Sequence, residues 1–187
     1  MGKTNGTLFG NFGRRRRLHK QICDARDRLY RIAWSWCHDG HTADDLVQET
    51  LTRAFSKVDK LRDDNRLQVW LTQIMANLYR DQFRRITPDT GLEGDLLAGS
   101  DDPEQATNAS QLISRTREAI SALGDDQRQV LTLIDMAGFS YSDTAAILDV
   151  PVGTIMSRLS RARRRMRDLL KQQGIGHADV IPLRRPQ

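Results

Sequence analysis

"VPVGTIMSRLSRARRRM", Val150 to Met166, sets a proline and a small turn ahead of a segment with apolar residues on one side and arginines over most of the rest. At about 100° per residue, Ile155, Leu159, Ala162 and Met166 gather into one narrow arc. Met156, Ser157, Ser160 and Arg161 lie on the opposite side, near the start of the same predicted helix. The first arc reads as core and the second is left for a partner. Just upstream, Ser140 with Asp143 three residues on forms a capping box, and the short helix it opens carries Ala145, Ala146 and Leu148.

Working outward, the apolar pattern stays helical. Leu112, Thr116, Ala119, Ile120 and Leu123 mark one helix, and Val130, Leu131, Ile134 and Ala137 another that stops at Gly138. Before them the composition changes. From Thr87 to Ser110 there are six acidic residues (Asp89, Glu93, Asp95, Asp101, Asp102, Glu104), two prolines and three glycines, with no lysine or arginine. That is the makeup of a linker.

Further back, Leu18, Ile22, Ala25, Leu29, Ile32 and Trp36 alternate steps of four and three, the face of one amphipathic helix. Thr42 with Asp45 offers a second capping box, opening a helix with Leu46, Val47, Leu51, Ala54, Phe55 and Val58 in register that ends near Lys57. After the polar break "RDDNR", Arg62 to Arg66, a third helix carries Leu67, Trp70, Leu71, Ile74 and Leu78 and ends near Arg85. Trp70 falls on the apolar register and reads as core. The expectation is an all-α chain of two small helical domains joined by an acidic flexible linker, the second ending in a helix-turn-helix. Residues 1–17 form a disordered basic tail, 18–86 the first domain, 87–110 the linker, 111–172 the second domain and 173–187 a C-terminal tail.

The 187 residues carry 29 lysines and arginines against 24 acidic residues, a net charge of +5 that leans towards a polyanionic partner. Two cysteines, Cys23 and Cys37, make no disulfide framework, and a reducing cytoplasm is the simpler setting. No run approaches the roughly 20 apolar residues of a membrane span. In "CHDGH", Cys37, His38 and His41 are too few and too crowded for the separated ligand pairs of a structural zinc site, and a helix end and turn is expected there. No metal or other cofactor is expected.

Two short helices joined by a three- or four-residue turn are the helix-turn-helix signature, whose second helix enters the DNA major groove. Arg158, Arg163, Arg164, Arg165, Arg167 and Lys171 flank the exposed arc and suit phosphates, since guanidinium groups donate paired hydrogen bonds to phosphate oxygens. The stretch "FSYSDTAAILDVPVGTIMSRLSRARRRM" resembles region 4 of the sigma-70 family, in particular the two-domain extracytoplasmic-function sigma factors. "DDLVQETLTRAF" resembles the region 2 helix that docks on core RNA polymerase, and "VWLTQIMANLYRDQFRR" the helix that meets the downstream promoter element. The likeness spans about Leu18 to Leu170.

The resemblance implies that Asp45, Gln48 and Glu49, with Arg53 one turn on, contact core polymerase. It implies that the loop of Asp63, Asp64, Asn65 and Arg66 captures a base flipped from one promoter strand, with Asn77, Arg80, Arg84 and Arg85 as strand contacts. For the upstream element it implies Thr154, Met156, Ser157, Arg158, Ser160, Arg161, Arg164 and Arg165. Met156 departs from the basic or polar residue frequent in the family and can offer only apolar contact, for instance to a thymine methyl. The acidic linker would thread the polymerase cleft, or act only as a soluble tether. The function expected is that of an alternative sigma factor, a cytoplasmic non-enzyme whose partners are core polymerase, promoter DNA and an anti-sigma factor. A stand-alone helix-turn-helix regulator lacks the "DLVQE" helix, a decoy would not need the arginine-rich reader helix, and a recombinase would need a catalytic lobe that is not evident.

Overall fold

The stripe from Leu18 to Trp36 is buried throughout, but it runs across two helices rather than one. The computed structural model describes the backbone of residues 6–86 and 108–173 and the side chains of residues 13–82 and 111–173. In it α1 spans Gly6–Asp24 and α2 spans Arg26–Cys37. They meet at Ala25, whose N–H is shared between the carbonyls of Gln21 at 3.1 Å and Ile22 at 3.3 Å. One tightened turn leaves the apolar period intact, so periodicity does not reveal the break. α1 also takes in residues 6–17 of the expected tail, while residues 1–5 lie outside the described residues. Arg14 to Arg17 sit within the helix, and three of them have found acidic partners, Arg14 and Arg17 at Asp64 and Arg15 at Asp59, which offsets the mutual repulsion of the run.

α2 closes on His38 in the left-handed region (φ 54°), its N–H donating to the Trp34 carbonyl. The helix that follows, α3, spans Gly40–Lys57 and is capped by Asp39 rather than by the expected Thr42–Asp45 box. The Asp39 carboxylate accepts from the Thr42 N–H at 2.7 Å and the Thr42 hydroxyl at 2.6 Å. An aspartate already extended at the N-cap reaches the third N–H of the helix, which makes Thr42 an interior residue and frees Asp45 to face outward. "CHDGH" is thus a C-cap followed by an N-cap. Single 3₁₀ turns at Val58–Lys60 and Asp64–Arg66 lead into α4, Leu67–Ile86.

The second lobe begins with α5, Asn108–Ser121, three residues ahead of the expected boundary. Residues 87–107 of the expected linker and residues 174–187 of the expected tail lie outside the described residues. α6 spans Asp125–Leu131 and continues as one π turn over Thr132–Met136. Gly138 (φ 74°) then reverses the chain, a conformation that glycine adopts without steric cost. α7 is Tyr141–Leu148, capped as expected by Ser140, whose Oγ accepts from the Asp143 N–H at 3.0 Å and donates to its carboxylate at 2.8 Å. Asp149 (φ 56°) turns the chain through Pro151 into α8, Val152–Gln172. Among the described residues there is no strand, and the all-α expectation holds.

The two lobes pack on each other around one continuous core. α7 lies against α4, and α2 against α6 and the π turn. At the junction the Ser35 and Thr132 hydroxyls are 2.8 Å apart and buried, and Arg28 donates to the Ala137 carbonyl at 2.7 Å while its guanidinium lies 4.8 Å above the Phe139 ring. The Tyr79 hydroxyl donates to Asp125 at 2.6 Å, and burial, then the Asp125 charge, push its ionisation well above the ordinary tyrosine range. Buried Arg128 pairs with the same carboxylate at 3.1 Å and caps the end of α5 by donating to the Ser121 and Leu123 carbonyls.

Candidate polymerase and nucleic-acid interfaces

Three surfaces emerge from this frame. On α3, Leu46, Val47, Thr50 and Ala54 are buried, which turns Asp45, Gln48 and Glu49 outward on the opposite face. Arg53 joins them, its Nε donating to Glu49 at 2.7 Å, and His41 lies 3.2 Å from Asp45. Residues three and four apart on a helix share a face, so the spacing of the four side chains is enough to bring them together.

The second surface is the loop between α3 and α4 with the helix after it. Asp63 accepts from the Asn65 N–H at 3.0 Å and shapes the 3₁₀ turn. Asp64 faces α1, where Arg14 and Arg17 both donate to it, and these bonds hold its carboxyl below the usual carboxylate range. Arg66 reaches across to Asp143 of α7 at 2.8 Å. Asn65 alone of the four is exposed with a side chain that makes no hydrogen bond or ion pair among the described residues. On α4, Asn77 and Arg80 are exposed and linked to each other at 2.5 Å. One turn before Asn77 on the same face, Gln73 donates to the Ala146 carbonyl of α7 at 3.3 Å. α7 therefore covers the loop end of the stripe that continues through Asn77 and Arg80. Trp70 packs against the core, as its register predicts. The Arg84 and Arg85 side chains lie outside the described residues.

The third surface is α8. Ile155, Leu159 and Ala162 are buried, while Met156 is 57% exposed and Ser157, Ser160 and Arg161 are exposed beside it. Thr154 is half-buried at the first turn, where its carbonyl accepts from the Ser157 hydroxyl at 2.9 Å. The flanking arginines divide into two sets. Arg163 grips Asp135 through Nε at 3.0 Å and Nη2 at 2.5 Å, and Arg158 lies 2.6 Å from Asp126. The Asp135 side chain is only 1% exposed, so Arg163 is a structural anchor here rather than an open phosphate ligand. Arg164, Arg165 and Arg167 are exposed and have no acidic partner among the described residues.

Sequence reasoning missed the cluster of Tyr79, Asp125 and Arg128, and the pairing of Arg14 and Arg17 with Asp64. Tyr79 lies 46 positions from Asp125, and Arg14 and Arg17 lie 50 and 47 from Asp64, beyond the reach of any local pattern. The one signal available was the uncompensated arginine run itself.

Comparison with known proteins places these surfaces in context. Residues 24–87 match the model of sigma-70 region 2 and residues 113–166 that of sigma-70 region 4. The chain is 36% identical over 157 residues to the ECF RNA polymerase sigma factor EcfG of Rhodopseudomonas palustris, covering 84% of this chain and 87% of that protein. It is 28% identical over 158 residues to ECF RNA polymerase sigma factor SigW of Bacillus subtilis, covering 78% of this chain and 84% of that one. Among solved structures, the sigma factor RpoE of Bartonella quintana in complex with the anti-sigma factor NepR superposes with a TM-score of 0.67 at 32% identity, covering 81% of this chain and 95% of that one. CnrH in complex with the cytosolic domain of CnrY shares the fold, with a TM-score of 0.62 at 24% identity, covering 84% of this chain and 89% of that one. By its two matched regions and its relatives, the chain belongs to the extracytoplasmic-function sigma factors of the sigma-70 family, alternative sigma factors that direct promoter recognition.

Proposed function

We propose that this sigma factor binds core RNA polymerase through Asp45, Gln48, Glu49 and Arg53, and reads promoters through two further surfaces. Residues 18–86 act as the polymerase-docking and strand-holding domain, and residues 111–172 as the duplex-reading domain. The downstream element is held by the Asp63–Arg66 loop together with Asn77, Arg80, Arg84 and Arg85. Asn65 is the base-reading side chain of that loop and Asp64 its anchor. The upstream element is read by Met156, Ser157, Ser160 and Arg161, with Thr154 at the helix entry and Arg158, Arg164 and Arg165 on the backbone. The observation that carries this reading is the sorting of α8 into a buried arc and an exposed arc. Arg158 must exchange Asp126 for a phosphate, a swap between two anionic partners of similar geometry.

The chain acts as an initiation factor with no chemistry of its own. It works in the cytoplasm, which accords with the absence, among the described residues, of any helix long and apolar enough to cross a membrane. An anti-sigma factor is proposed as its negative regulator, supported by the complex in which the Bartonella relative was solved. Run-off transcription with purified core polymerase on genomic fragments tests the whole reading. Specific initiation that depends on this chain supports it, and core-dependent transcripts unaltered by the chain overturn it.

A further inference from the structure

We propose that Arg14 and Arg17 of α1 are positioning residues for promoter recognition, a brace that holds the base-capturing loop in its reading shape. The inference rests on the assignment of Asp63–Arg66 to the downstream element. Both arginines precede residue 24, where the match to the region 2 model begins.

The geometry is specific. The Arg14 guanidinium donates to the Leu61 carbonyl at 2.6 Å and to the Asp64 carboxylate at 2.7 and 3.0 Å. It thereby ties a main-chain oxygen to a side chain three residues further on and fixes the path between them. Arg17 takes the other carboxylate oxygen at 2.6 Å. Leu61 and Leu67 are buried at the two ends of the loop, while Arg62, Asp63, Asn65 and Arg66 between them are exposed. Apart from the brace, the loop is held by the Asp63 bond to Asn65 N–H, two 3₁₀ bonds, from Arg66 N–H to the Asp63 carbonyl and from Leu67 N–H to the Asp64 carbonyl, and the Arg66 pair with Asp143. That last bond belongs to the second lobe and is lost when the lobes separate to span two promoter elements. Among the described residues, Arg14 and Arg17 then remain the only side chains from outside the loop that grip it.

Charge points the same way. Asp63 and Asp64 put two carboxylates where a nucleic-acid strand must approach. Two guanidinium groups on Asp64 reverse its local sign, so that the loop accepts phosphate nearby instead of repelling it. Arg14 is the stronger member, because it is half-buried and donates two bonds to Asp64 Oδ1 besides the one to Leu61, whereas Arg17 is exposed and its pair is screened by solvent.

The test uses the full chain assembled on core polymerase and a promoter library randomised in both elements. Arg14→Ala is expected to keep core affinity within about twofold and upstream preference unchanged, while downstream base preference falls by about tenfold, the scale of one lost base contact. Arg17→Ala should lose less. Asp64→Ala should match Arg14→Ala, and the double variant should be no worse than either single one, as expected for partners in one contact. Arg14→Lys preserves the charge of α1 but lacks the fork that spans Leu61 and Asp64, and should recover only part of the preference. It also serves as the folded control should Arg14→Ala lower stability. Wild-type downstream preference in Arg14→Ala, or an equal loss at both elements, overturns the brace. A wild-type chain that directs no specific initiation overturns instead the functional assignment on which it rests.

Discussion

Asp45 and Glu49 stand one turn apart on the outer face of α3, and nothing buried depends on either. Asp45→Arg with Glu49→Lys is therefore expected to abolish core polymerase binding while the thermal transition of the free protein stays within a few degrees. Each reversal sets like charges against a basic partner, and such juxtapositions cost several kcal/mol across an interface, roughly. Retained affinity in a pull-down would remove α3 from the docking surface. His38 gives a second residue-level test. Burial, with Arg128 close by, lowers its pKa from 6.5 to about 4, so the folded state takes up its proton less readily than the unfolded chain. The resulting stability is fully present above pH about 6.5 and is lost as pH falls towards 4. His38→Asn keeps a residue tolerant of the left-handed cap, and its denaturation midpoint should fall less steeply than wild type across that window. Parallel curves for the two proteins would refute the assignment.

At the level of elements, α8 should separate mutations into three classes. Arg161→Ala should change which upstream sequence is preferred, at a cost of about 1–3 kcal/mol for the lost base contact. Arg165→Ala should weaken all promoters alike and reduce the salt slope by about one unit. Leu159→Asp should unfold the second lobe, because it sets a carboxylate into the buried arc. A promoter selection with each variant, alongside circular dichroism, distinguishes them; an unaltered preference in Arg161→Ala would mean that the reading arc is rotated. These elements were legible because their signals are local. The Ser140 cap, the end of α3 at Lys57 and the buried face of α8 follow from residues within a turn or two of each other. The cap of α3 was misread for a reason equally local: an acceptor three residues earlier, Asp39, took the N–H that Thr42 would have had to leave free. The break at Ala25 and the start of α1 at Gly6 left no mark on the apolar period, and the partners that steady α1 come from another part of the chain.

Taken whole, the molecule holds its two lobes face to face. α7 covers the loop end of the α4 stripe, and Arg66 is engaged by Asp143 rather than by nucleic acid. Free protein should accordingly bind duplex promoter DNA weakly. A wedge at the buried Ser35–Thr132 contact, Ser35→Arg, should expand the particle in solution scattering and raise that affinity, measured at one salt concentration. Expansion without tighter binding would argue against occlusion. The packing of the lobes was not readable from sequence, since hydroxyls such as Ser35 and Thr132 advertise no partner 97 residues away.

The reach of α1 into the loop also bears on how such proteins can be recombined. Exchange of domains between sigma factors is an obvious route to new promoter specificities, and residue 24, where the match to region 2 begins, is an inviting place to cut. A chimera joined there would receive Asp64 without Arg14 and Arg17, an acceptor separated from its donors. Joined ahead of Gly13, the same exchange carries both halves of the contact, and its products should inherit the donor's downstream selectivity where the shorter graft does not.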